Sequence, residues 1–235
     1  VLRVLYYELP PAQIRGHWAQ TVLLILSAGT LLYAAVMAVR EQHVKRRLAW
    51  STVSNLSYML FGLALMSGKG LQAGLAHMIF HSLAKIILFF CAGAVLTKTG
   101  RTQVRQMHGL GRKMPLTFAA FTAAGLSLVG VPPFPGFVSK YALVTAAFEA
   151  DGAWPIAGAV ALMAATVLTV IYVMTIVFPA YFLPYHPAEG EELPRDPGAC
   201  MKTSLIALTL MLIAAAVFAD WIMQLLQTLA GGGAI

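Results

Sequence analysis

Residues 77–90 read HMIFHSLAKIILFF, an apolar run holding two histidines and a lysine. His77, His81 and Lys85 recur every fourth residue. In a helix each such step rises about 6 Å and rotates about 40°, so the three form a curving stripe about 12 Å long. Lys85 stands near the middle of the run, where a bilayer-centre lysine costs ~2.5–3.5 kcal/mol on insertion scales. Its ammonium cannot snorkel to water from that depth. Histidine titrates near neutral pH, and leaving water favours the uncharged form of an amine. Such a stripe could pass protons along bridging waters. Packing is the alternative, with the histidines satisfying acceptors inside a helix bundle. His-x3-His also suits zinc, but zinc needs a third ligand. No carboxylate lies near in sequence, so no metal is expected.

A second lysine lies in apolar surroundings. Lys140 follows GVPPFPGF, the stretch from Gly130 to Phe137. Residues 115–150 as one helix would run about 54 Å, too long for a straight crossing. Pro132, Pro133 and Pro135 remove amide donors and clash with the preceding turn. Two half-helices are therefore expected, with non-helical backbone over Pro132–Gly136 and Gly130 at its edge. A broken helix is tolerated in a membrane only where protein or a water-filled cavity covers the freed backbone. In transporters such breaks often mark the ion site. Lys140 would fall in the first turn of the second half. The helix dipole disfavours a cation there, while carbonyls freed from the first half would solvate one. These opposed influences suit a lysine that gains and loses a proton. Capping of the freed carbonyls is the plainer reading.

The elements that must position these groups are membrane spans. Of 235 residues, 59% are hydrophobic and 11% charged, against about 25% charged in soluble domains. Six stretches are long enough for a ~30 Å hydrocarbon core: 18–39, 49–68, 71–97, the broken 115–150, 153–182 and 203–228. The fold class is all-α, a polytopic bundle of about six transmembrane helices with one proline-broken. Residues 1–17 read as the end of an earlier helix, VLRVLY, and an outer loop. Residues 18–182 form the main transmembrane domain, 183–202 a loop, and 203–235 a last helix and tail. The chain begins at Val1, and a truncated start is the expectation.

The formal charge is +7, but the basic residues lie in clusters between apolar runs, so no nucleic-acid partner is expected. Loops 40–48, 98–114 and 183–202 hold eleven of the sixteen basic residues, and the opposite side holds Arg3, Arg15 and Lys69. The richer side is the cytoplasmic one, which suits a multi-pass protein of a bacterial inner membrane. The remaining two are Lys85 and Lys140. Cys91 and Cys200 are too few for an iron–sulfur cluster or a structural zinc. No glycine-rich phosphate loop is present, and no cofactor is expected. Ser51, Thr52, Ser54, Asn55, Ser57 and Tyr58 read as helix-packing glue. His43, His108 and His186 read as surface residues, Asp220-Trp221 as an interfacial anchor, and EGEELPRD at 189–196 as a solvated loop.

Three stretches occur in the order VKRRLAWSTVSNLSYM, HMIFHSLAKIILFFCAG and GVPPFPGFVSK. Together they resemble the antiporter-like membrane subunits of respiratory complex I. They resemble equally the relatives of those subunits in Mrp cation/proton antiporters and membrane-bound hydrogenases. The resemblance covers residues 1–182 well and the last span loosely. It implies fourteen spans in two inverted five-helix repeats, each with a broken helix, of which this chain would hold the ninth to fourteenth spans and the end of the eighth. It implies that His77, His81 and Lys85 carry the second half-channel, which ends at Lys140. The first half-channel's glutamate and lysine would lie upstream of Val1.

The function so implied is a proton-translocating subunit of a complex I-like oxidoreductase, with no redox chemistry of its own. Its partners would be other membrane subunits, protons or sodium ions, and the lipid bilayer. An Mrp-type sodium/proton antiporter subunit is the alternative. A non-conducting assembly subunit is a third reading, which two buried lysines disfavour.

Overall fold

In the computed structural model, Tyr6 and residues 14–150, 152–187 and 193–231 are described. Residues 1–5 of the VLRVLY segment and all of EGEE, 189–192, lie outside them.

Helix α1, Trp18–Arg40, is apolar throughout and carries Arg40 in its last turn, where a cation complements the helix dipole. Helix α2 spans Val44–Ala64. It begins inside the stretch expected as the loop 40–48, because its first turn is basic yet helical. It also ends before residue 68. Helix α3, Gly68–Thr99, opens on Ser67, whose side chain accepts the Gly70 amide hydrogen at 3.1 Å. It closes on Gly100 at φ 66°, the left-handed conformation glycine adopts without strain. At 32 residues it is about 48 Å long.

The stretch 98–114, expected as a loop, contains a 3-10 turn, Val104–Met107, and a short helix α4, Leu110–Lys113. The broken span comes next. Helix α5, Pro115–Val129, stops at Gly130 with φ 87°. Helix α6, Pro135–Glu149, starts with its proline at the first helical position, where a missing amide hydrogen costs nothing. The gap is therefore Gly130–Phe134, and Pro135 and Gly136 belong to the first turn of α6. Helix α7, Ala153–Phe182, is a single long span. The last apolar stretch is two helices rather than one, α8 Ala199–Val217 and α9 Ala219–Gly231. No glycine or proline marks that break.

Helices α1, α3, α7 and α8 are each long and apolar enough to cross a membrane. Helix α2 is long enough, at 21 residues, but carries too many polar side chains to meet that standard. Among the described residues no strand forms. The molecule is a polytopic helical bundle with one proline-broken span.

Helices α2 and α3 form an antiparallel hairpin. Gly74 lets them close, since a Cβ there would stand 3.2 Å from the Met59 carbonyl oxygen. The three basic loops gather at one end. Val44 N donates to Thr102 O at 2.9 Å, and Val104 N to Gln42 O at 2.8 Å. Arg101 Nη2 donates to His186 O at 2.8 Å. Asp196, expected in a solvated loop, instead accepts from the Thr117 amide at 3.1 Å and the Thr117 hydroxyl at 2.8 Å. A carboxylate at the start of α5 is favoured by the exposed amides and the dipole.

Candidate functional site

Lys85, His81 and His77 lie on the buried face of α3, at 6%, 5% and 3% exposure. The facing side of α2 is polar. Arg47, Ser51, Asn55 and Tyr58 recur at helical spacing, and each is buried. Helix α6 adds Ser139 and Lys140, and α7 adds Thr166, Thr169 and Tyr172. Four helices thus turn their polar side chains toward one axis inside an apolar bundle.

The contacts run in order. Lys85 Nζ donates to Leu48 O at 2.7 Å and to the Ser51 hydroxyl. Asn55 Nδ2 donates to Ser51 O at 2.7 Å. The other end of that amide, Oδ1, lies 3.2 Å from His77 Nε2. His77 Nδ1 lies 3.0 Å from Ser139 Oγ. The His77 ring stacks between Tyr58 and His81, with centroids 5.2 Å and 5.9 Å away. Neither ring nitrogen of His81 has a partner among the described residues, although both are buried.

Lys140 crosses the break. Its Nζ donates to Val129 O at 3.1 Å, the last carbonyl of α5, and reaches Thr166 Oγ1 at 3.4 Å. It also lies 5.2 Å from the Tyr58 ring centre, a cation–π distance. The Tyr58 hydroxyl donates to Leu162 O at 3.1 Å. The capping reading and the ionisable reading of Lys140 thus describe one side chain, since the carbonyl it caps is also its solvating group.

Among the described residues no carboxylate answers these cations. The one ion pair among the described residues is Lys69–Glu149, at 2.7 Å on the surface. Among the same residues no group of three or more His, Cys, Asp and Glu stands together as a metal site.

Several residues that read in sequence as packing or loop stand in this site. Ser51 and Asn55 are expected as packing glue, but Ser51 accepts from Lys85 and Asn55 faces His77. Arg47, expected as a loop charge, is 2% exposed and donates to Glu41 O, Val39 O, Tyr172 O and Thr175 Oγ1 at 2.6–3.3 Å. Without it the basic loops still outnumber the other side. Ser139 and Thr166 carry no mark in the sequence. The α2 residues do carry one, since 47, 51, 55 and 58 share one helical face. His77 is buried about 14 Å from the start of α3, well inside the bundle.

Fold and site together define a polytopic membrane bundle with a buried, ionisable interior and a broken span at its centre. The chain belongs to the NADH:quinone oxidoreductase/Mrp antiporter transmembrane family, whose model matches residues 3–171. It is 37% identical over 199 residues to NADH-quinone oxidoreductase subunit N of Desulforudis audaxviator, covering 84% of this chain and 39% of that one. Among solved structures it superposes on a chain of the Mrp complex from Dietzia sp. DQ12-45-1b with a TM-score of 0.80 and 26% identity. That match covers 93% of this chain and 47% of the other. A chain of the membrane-bound sulfane sulfur reductase, an archaeal respiratory membrane complex, gives 0.80 and 27% identity, covering 91% and 42%. The chain thus spans less than half the length of each.

Proposed function

We propose that this chain carries one half of a proton path within a proton-translocating membrane subunit. The observation that carries the reading is the four-helix polar axis, on which Lys85, His81, His77 and Lys140 are all buried with no carboxylate beside them among the described residues. A merely structural core has no use for two lysines at that depth. Protons enter from the end where the basic loops gather, reach Lys85, pass His81 and His77, and arrive at Lys140 beside the break. His81 has two buried nitrogens and no partner among the described residues. Buried polar groups are almost always hydrogen-bonded, so internal water is the partner that fits. It completes the line between Lys85 and His77.

The relatives support the larger setting. The subunit works with other membrane subunits in a complex of the bacterial inner membrane, and the segments 40–48, 98–114 and 183–202 face the cytoplasm. The basic character of that end supports this orientation. An Mrp-type sodium/proton exchanger is the second reading, favoured by the superposition on the Dietzia complex.

Lys85→Met decides between conduction and packing. It keeps the volume and removes the buried charge. Conduction predicts a complex that assembles normally and takes up no protons in membrane vesicles. Packing predicts a harmless or stabilising change. Wild-type uptake by the assembled variant would remove the proton-path reading.

A further inference from the structure

His77 is held from both ring nitrogens. Asn55 uses its Nδ2 to donate to Ser51 O at 2.7 Å, so its oxygen is the atom that faces His77 Nε2 at 3.2 Å. An amide oxygen only accepts, and Nε2 must therefore carry a hydrogen. On the other side stands Ser139, with one hydroxyl hydrogen and two places for it. One is His77 Nδ1 at 3.0 Å, and the other is the Gly136 carbonyl at 3.2 Å. When Nδ1 is bare, the hydroxyl donates to it. When Nδ1 carries a proton, the hydroxyl accepts it and turns its own hydrogen to Gly136 O. Both arrangements leave every group satisfied. Asn55 is 1% exposed and Ser139 0%, so neither has bulk water as a substitute partner.

The placement matters as much as the chemistry. Gly136 lies in the first turn of α6, and Ser139 is the residue before Lys140. The ring's titratable neighbours are Tyr58 from α2, His81 from α3 and Lys140 from α6. Ser139 is thus the hydrogen-bonded link between the histidine stripe and the broken span.

We propose that Asn55 and Ser139 are positioning residues of the proton path. Asn55 fixes the uncharged form of His77 with its hydrogen on Nε2. The Ser139 hydroxyl is the two-position partner that lets Nδ1 take up and release a proton on the side of the broken helix. This rests on the proton-path reading above.

The experiment combines nitrogen-15 spectra of histidine-labelled complex with proton uptake per assembled complex. In the wild type, the uncharged His77 signal shows its hydrogen on Nε2. Asn55→Leu removes the acceptor at similar volume, and the hydrogen moves to Nδ1, with Ser139 accepting. A purely structural asparagine would alter the amount of complex and leave the tautomer alone. Ser139→Ala keeps the hydrogen on Nε2, strips Nδ1 of its partner, and lowers uptake about tenfold, the kinetic equivalent of one buried hydrogen bond. Wild-type uptake by Ser139→Ala, with Lys85→Met still inactive, overturns the proposal and leaves the proton path standing. An unchanged tautomer in Asn55→Leu overturns it as well. Should Ser139→Ala fail to assemble, that spectrum decides alone.

Discussion

On the proposed path, Lys140 would serve the backbone and proton transfer with one side chain. Its ammonium occupies the Val129 carbonyl that the break leaves without a helical donor. Lys140→Ala should therefore do two things. It frees a buried acceptor, which costs ~1–3 kcal/mol of stability, and it abolishes most proton movement. Lys140→Arg restores the donor but not the proton release, because arginine stays charged. Uptake in vesicles and thermal unfolding of the purified complex separate the two effects. Full uptake by the arginine variant would mean that charge alone suffices. At this scale the two lysines and two histidines are legible in the sequence, since an ionisable group stands out in an apolar run. Ser51, Asn55 and Ser139 are not. A hydroxyl or an amide in a spanning helix packs against a neighbour as readily as it serves a path, and only the neighbour's identity tells them apart. Arg47 is masked by its sequence neighbours, Lys45 and Arg46, which give the segment the charge of a loop. Its burial comes from α7, more than a hundred residues away.

The broken span is the element on which the site depends. Helix α5 and helix α6 pass so close that a Cβ on Gly136 would collide with the Ser127 carbonyl. Backbone cannot give way as a side-chain tip can. Gly136→Ala should destabilise the complex by ~1–3 kcal/mol, the usual cost of overpacking, and should displace Lys140 from Val129. Gly29→Ala is the matching control. It lies mid-helix in α1 with nothing within 4 Å of the new methyl group. There alanine should gain about 0.5–1 kcal/mol through helix propensity. Thermal unfolding in detergent reads both, and equal effects would discredit the close-crossing argument. Proline chemistry makes the break visible in sequence, although its limits lie earlier than Pro132–Gly136, since a proline can open a helix. The division of the last span at Phe218 has no such mark. There the Phe218 amide closes back on Ala214 O at 2.9 Å, and α9 packs Leu226 into a cluster with Phe80 and Ala76 of α3. Tertiary contact, not local composition, sets that joint.

For the whole molecule the testable property is orientation. Cys200 is exposed at the start of α8, and Cys91 is buried. An impermeant maleimide should therefore label Cys200 from the cytoplasmic side of oriented vesicles and leave Cys91 unmodified. Labelling of Cys200 from the opposite side would invert the assignment of the loops. The bundle is legible as a bundle because its apolar stretches are long and its charges sorted. Which spans touch is not legible, because hydropathy repeats look alike.

The clamps at the two ends of the broken span have a mechanical consequence. Asp196 pins the start of α5, and the Lys69–Glu149 pair ties the end of α6 to the start of α3. A straight rod held at both ends carries an axial load along its length. A rod jointed in the middle turns the same load into sideways travel at the joint. The joint here is Gly130–Phe134, and the part beside it that would swing is Lys140. A push or pull at either face of the membrane would thus be delivered as lateral motion at mid-depth, in the manner of a toggle.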